Sequence, residues 1–221
     1  MFNGIRSWFK KDSLENIQIT TDLNEIRKRA RILFIDDEDV PQIKVLKKEG
    51  FAIDQWKDIK NLKNIEDGNY DIIFLDIGGV GGGYSREGAI GVLKDIKKSN
   101  PSIVLIAFSG QKFAIEQTKF FQLADDVLNK DARAVEIKNR IEDFLKEKFS
   151  VVFYRSRIKE LLNNNGVSGS EVDKVEKKLY KSIQKKDRKS FESWVKKSFK
   201  DAELIASIIN LSTKLIEISI K

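Results

Sequence analysis

The sequence contains neither cysteine nor histidine. The first absence excludes disulfides, thiolate nucleophiles and zinc sites built on sulfur. The second removes the commonest general base, the commonest transition-metal ligand and any phosphohistidine carried by this chain. Proline occurs only twice, at Pro41 and Pro101. No apolar run is long enough to span a bilayer. The N-terminus shows no secretory apolar region, so the expected location is cytoplasmic. Whatever chemistry the chain performs must come from carboxylates, lysines, hydroxyls and backbone amides.

What is present is a charged, globular composition: 41% hydrophobic and 34% charged residues, with a formal net charge of +7. At 221 residues the chain can form one large domain or two modest ones. The charge is unevenly placed. Val151 to Lys221 holds 16 basic and 9 acidic residues, so the remainder is close to neutral. Such a surplus suits a solvated helical surface, the favoured reading, or contact with an acidic partner, nucleic acid or a membrane surface.

The stretch that organises the chain runs from Tyr70 to Gly88. Four apolar residues, Ile72 to Leu75, end at the single carboxylate of Asp76 and are followed by a glycine-rich loop. An unbroken apolar run suits a strand buried on both faces of a parallel sheet. Arg31 to Ile35 is a second such run and ends in Asp36 and Asp37; Ile103 to Phe108 is a third and ends in Ser109. Phe51 to Trp56 and Asp126 to Asn129 read as shorter strands, the latter ending at Lys130. Helical spacing lies between them: Val40, Ile43 and Leu46 around Pro41, a weak helix ending near Gly68, Ala89 to Ile96 before Asn100-Pro101, Phe113 to Leu123, and Val135 to Leu145. Strand and helix alternate five times, which implies parallel strands joined by right-handed crossovers. The polar residues at the strand ends then lie along one edge of the sheet, where open α/β sheets bind ligands.

Two segments flank this pattern. Residues 1–11 place Phe2, Ile5, Trp8 and Phe9 near helical spacing among basic residues, as in a segment that packs on its own domain or a partner, or lies on a membrane. The polar stretch Asp12 to Arg29 reads as a linker or a weak helix. Beyond Val151 only helices are expected. Ser170-x-x-Asp173 offers an N-cap, Asp201 can cap the last helix, and Leu204, Ile208, Leu211 and Leu215 form a stripe that a bundle or a second subunit must cover. The expected domains are 1–30, an amphipathic segment and linker; 31–149, the α/β domain; and 150–221, a helical effector or dimerisation domain.

Carboxylates gathered at one edge repel each other unless a proton or a cation intervenes. An all-oxygen ligand set without histidine suits Mg²⁺. With the cation beside it, Asp76 can attack phosphorus to form an acyl phosphate, Lys130 supplying positive charge and Ser109 a hydroxyl donor. Each residue also has a plainer role. Asp36 and Asp37 could be helix N-caps, Ser109 a turn residue, Lys130 a surface lysine, and the glycine loop either a flexible insertion or a functional lid.

The segments Ile-Leu-Phe-Ile-Asp36-Asp37-Glu38, Ile-Ile-Phe-Leu-Asp76, Ile-Ala-Phe-Ser109-Gly110 and Ala-Asp-Asp-Val-Leu-Asn-Lys130 together resemble the response-regulator receiver (CheY-like) family, over about Arg31 to Phe149. The resemblance implies a five-stranded, doubly wound parallel sheet of flavodoxin-like order 2-1-3-4-5, followed here by an all-α C-terminal domain. It implies that Asp36 and Asp37 are the acidic metal pair, with Asp37 favoured as the direct ligand. Asp76 is then the phosphoacceptor, Gly78 offers its carbonyl to Mg²⁺, and Ser109 and Lys130 are the switch hydroxyl and the invariant lysine. The chain departs from the family where Met-Pro usually follows the phosphoacceptor, where Asp131 replaces the proline after the lysine, and where Val127 replaces the switch aromatic. The implied protein is a phosphoacceptor rather than an enzyme, apart from self-dephosphorylation. Its partners would be a sensor histidine kinase or phosphotransfer protein and a protein bound by the C-terminal helices, with a homodimer as a further option. The alternatives are a phosphorylation-independent binding scaffold, or a nucleic-acid-binding regulator acting through the basic helices, although no segment fits a helix-turn-helix well.

Overall fold

Long apolar runs form the centre of the structure because only a strand covered on both sides can bury every side chain it carries. The computed structural model describes residues 13–17, 22–59, 61–110 and 118–219. The amphipathic pattern of residues 1–11 lies outside them. The described residues fall into two units, one spanning Thr21–Lys146 and the other running from Glu147 onward together with a single N-terminal turn, η1 (Leu14–Asn16).

The first unit contains strands β1 (Arg31–Ile35), β2 (Ala52–Trp56), β3 (Ile72–Asp76), β4 (Val104–Ser109) and β5 (Asp126–Asn129). Its helices are α1 (Leu23–Arg29), α2 (Gln42–Lys48), α3 (Lys63–Gly68), α4 (Ala89–Ser99), α5 (Thr118–Leu123) and α6 (Ala134–Lys148). All strands are parallel, in the order β2-β1-β3-β4-β5. The alternating pattern called for parallel strands, and this flavodoxin-like, doubly wound order is the one the resemblance implies. The polar stretch before β1, read as linker or weak helix, folds in its last turns as α1, capped by Asp22, whose carboxylate accepts from the Asn24 amide. The remainder of the helical pattern that begins at Phe113 lies partly outside the described residues.

Strand alternation sorts the core into two layers. Leu33, Ile35, Ile73, Leu75, Leu105 and Ala107 pack with Ile65 of α3, with Val92, Leu93 and Ile96 of α4, and with Phe121 and Leu123 of α5. The opposite face carries Phe34, Phe74 and Phe108, all buried. Phe34 and Phe74 stack with ring centroids 4.2 Å apart, and Phe108 meets both edge-on at 5.5 and 5.8 Å. That face is left to α2 and α6, whose Ile43, Leu46, Ile137, Ile141 and Leu145 are buried. Arg27 of α1 pairs with Glu142 of α6, and Glu49 after α2 pairs with Lys138.

The second unit packs α7 (Val151–Asn164), α8 (Gly169–Lys185), α9 (Arg188–Ser198) and α10 (Ala202–Ser219). The stripe Leu204, Ile208, Leu211 and Leu215 is buried, and α10 packs mainly against α7. The wide apolar face is thus covered within the unit. Asp201 caps α10, its carboxylate accepting from the Leu204 amide at 2.7 Å. The cap of α8 differs from the expected Ser170. Ser168 is the N-cap and forms a capping box with Glu171. Two more residues of helix result, because Ser168 has Glu at the third helical position and Ser170 does not. No helix among the described residues is long and apolar enough to cross a membrane.

The stacked aromatic layer gives a direct test of the core. Phe74→Ala removes a ring that touches two others and leaves a cavity, so it costs about 3–5 kcal/mol in urea denaturation.

Candidate functional site: an acidic pocket closed by one lysine

Parallel register sets the height of each polar residue. Ile35 pairs with Leu75, Asp76 with Phe108, and Ser109 with Asn129. Asp36 and Asp76 therefore leave adjacent strands at one level, and Ser109 and Lys130 follow just beyond at the same C-terminal edge. Asp36 is 1% exposed and Asp76 4%, whereas Asp37 is open to solvent.

Lys130 joins them. Its Nζ lies 2.9 Å from Asp76 Oδ2 and 2.9 Å from Asp36 Oδ2, with Glu38 Oε2 at 3.9 Å. The aligned hydrogen bond to Asp36 goes to Oδ1, at 3.0 Å, an oxygen that also accepts the Glu38 amide at 2.9 Å. Asp36 Oδ2 is buried without an aligned donor. Burial pushes the Asp76 carboxyl above its ordinary pKa; Lys130 and the Gly78 amide, which donate to it, pull the other way, and the Asp36 charge adds to the rise. Burial also works against the Lys130 ammonium, but the hydrogen bonds to Asp76 and Asp36 outweigh it and hold its pKa above the usual lysine value.

Oxygens of Asp36, Asp37 and Asp76 all lie within 4.8 Å of one another. Three carboxylates face one ammonium, a surplus of negative charge. No cysteine sulfur or imidazole is available in this chain. This donor set can hold a hard cation. A cavity of about 310 Å³ opens beside it, lined by Asp37, Glu38, Asp76, Ile77, Gly78, Gly79, Ser109, Gly110 and Lys130. Of the six residues singled out from the sequence, five line this cavity, Asp37, Asp76, Gly78, Ser109 and Lys130, while Asp36 is not on its wall and joins them through its ion pair with Lys130.

The glycine loop is built into this wall. Gly79 has φ +73°, and a Cβ there would lie 2.2 Å from Asp37 Oδ2, so a side chain at 79 would displace the acid. Val80 is buried, and the Gly81 amide donates to Asp58 Oδ1 at 2.6 Å. Asp58, from the loop after β2, therefore anchors the segment that follows Asp76.

A second anchor holds Lys130. The Gln42 side-chain amide donates to the carbonyls of Lys130 at 2.9 Å and Ala132 at 3.1 Å. The Lys130 amide donates to the Ser109 carbonyl at 3.2 Å, and Asn129 Oδ1 accepts the Asp131 amide at 2.9 Å. Where the resemblance implies proline after the lysine, this chain fixes the turn with side-chain hydrogen bonds. Neither Gln42 nor Asp58 carries a sequence signal for these roles. Their partners lie 88 and 23 residues away.

Two outcomes follow from this geometry. Asp76 has a folded pKa above its unfolded one, so its ionisation opposes folding. The penalty is complete above the folded pKa and absent below the unfolded value of about 3.9. Without added divalent cation, Asp76→Asn raises the thermal midpoint at pH 7, and the gain over wild type fades as the pH falls to the unfolded carboxylate range. Gln42→Ala removes two side-chain hydrogen bonds and lowers stability by about 1–2 kcal/mol in denaturant titration.

No protein-family profile and no curated protein sequence matches this chain. Solved structures do. A CheY-like response regulator receiver domain protein from Methanospirillum hungatei JF-1 is 19% identical, covering 54% of this chain and 95% of its own, with a TM-score of 0.47. An orphan response regulator of H. pylori is 26% identical, over 54% of this chain and 98% of its own, with a TM-score of 0.44. The receiver domain of NtrX from Brucella abortus is 25% identical, over 52% of this chain and 98% of its own, with a TM-score of 0.45. Over about half its length the chain is similar to response-regulator receiver domains, and its C-terminal helices are unmatched.

Proposed function

We propose that this chain is a response-regulator-like signalling protein of the cytoplasm. Asp76 accepts a phosphoryl group from a partner histidine kinase or phosphotransfer protein, and the modification controls the helical unit. The observation that supports this reading is the single ammonium of Lys130 held against both Asp36 and Asp76 at the wall of an open cavity.

Mg²⁺ is the proposed cation; the carboxylates of Asp36, Asp37 and Asp76 and the carbonyl of Gly78 would hold it. When bound, it neutralises charge on the phosphoryl oxygens. The rest belongs to the chain. A carboxylate oxygen of Asp76 attacks phosphorus in line. The bond from phosphorus to the donor breaks, and its electron pair leaves with the donor. Lys130, already beside Asp76, meets the negative charge on the transferred oxygens, and the Ser109 hydroxyl donates to one of them. Water later hydrolyses the acyl phosphate, so the chain acts as an acceptor with a self-limiting lifetime rather than as a turnover enzyme.

Intact mass after incubation with Mg²⁺ and a small acyl phosphate tests the proposal. Wild type gains one phosphoryl group, Asp76→Asn gains none, chelation of the cation prevents the gain, and Lys130→Ala slows it about 10²–10³-fold. An unmodified wild type, under conditions that modify an ordinary receiver domain, rejects the proposal in favour of a phosphorylation-independent scaffold.

A further inference from the structure

The second unit carries a charge imbalance that the pocket chemistry does not use. Between Lys174 and Lys200 there are eleven basic and three acidic residues. All three acids are already engaged. Glu176 pairs with Arg155 and Lys159, Asp187 caps α9 through the Ser190 amide, and Glu192 pairs with Arg188. The exposed lysines on the outer side of α8 therefore outnumber the neighbouring acids, of which Glu171 and Asp173 stand at the start of the helix.

Their spacing makes them a surface. Lys174, Lys178, Lys181 and Lys185 recur at intervals of four, three and four, one stripe of a helix, and all are exposed. The opposite side of α8, with Val172, Val175, Leu179 and Ile183, is buried. Lys178 lies over the ring of Trp194 on α9, at 5.8 Å from its centroid. Lys197, one turn on from Trp194 and exposed, thus extends the stripe onto the neighbouring helix.

We infer that this lysine face of α8 and α9 binds the phosphate backbone of nucleic acid without reading sequence. The four α8 lysines extend over about 16 Å at the helical rise. A duplex presents one phosphate charge per about 1.7 Å, a density that can engage every lysine at once. An anionic membrane is a poorer fit. Adsorbed helices bury an apolar face beside their basic one, and the apolar face of α8 is already inside its own unit. Lysine point charges, with no arginine fork on the stripe, suit backbone contact rather than base recognition.

The test uses the full chain, a fluorescent duplex of arbitrary sequence, a single strand of equal length, and vesicles containing anionic lipid. With four to five lysines engaged, affinity for nucleic acid falls about tenfold for each doubling of salt. Lys174→Glu, Lys178→Glu, Lys181→Glu and Lys185→Glu together reduce binding more than tenfold. The milder Lys→Gln set flattens the salt dependence should the charge reversal impair folding. Reversal of Lys44, Lys47, Lys48 and Lys63 on the other unit leaves binding in place. Absent binding at low salt, binding to vesicles alone, or nucleic-acid binding that survives both α8 sets would overturn the inference.

Discussion

One ammonium facing three carboxylates is the constraint on which the first unit depends. Lys130 comes from the end of an edge strand, 94 residues after Asp36, yet its Nζ meets Asp36 and Asp76 at matching distances of 2.9 Å. The desolvation that raises the Asp76 pKa also makes each charge–charge contact stronger than it would be in water. The arrangement is left with excess negative charge. It is therefore poised for a cation rather than closed upon itself.

The sheet supplies the precision. Parallel pairing brings the C-terminal ends of β1, β3, β4 and β5 to one edge, and the register fixes the height of each polar residue to within one position. Two layers of apolar side chains hold that edge still. The glycine loop adds a wall that backbone sterics define: Gly79 leaves Asp37 the space it occupies, and Asp58 ties the next turn down.

The features legible in the sequence were those written locally. Ile72 to Leu75 and Ile103 to Phe108 announce buried strands through unbroken apolarity, and each ends at the polar residue that lines the pocket. The alternation with helices implied parallel strands, the resemblance supplied their order, and carboxylates at the strand ends in a chain without histidine indicated a hard-cation site. The features that were not legible depend on partners distant in sequence. Gln42 reads as an ordinary helix residue until its amide is seen on the Lys130 carbonyl. Asp58 reads as a loop acid until Gly81 is found against it. The α8 cap shows a subtler failure. Ser168 and Ser170 are both plausible caps, and only the reach of Glu171 back to Ser168 separates them.

Trp56 ends β2, and its carbonyl accepts the Asp36 amide at 2.9 Å, while its ring meets Tyr70 edge-on at 5.7 Å. An indole thus stands one backbone link from the most deeply buried acid of the pocket. The other described tryptophan, Trp194, belongs to the helical unit. Intrinsic emission from Trp56 is accordingly a label-free optical reporter of events at the acid cluster, already written into the polypeptide.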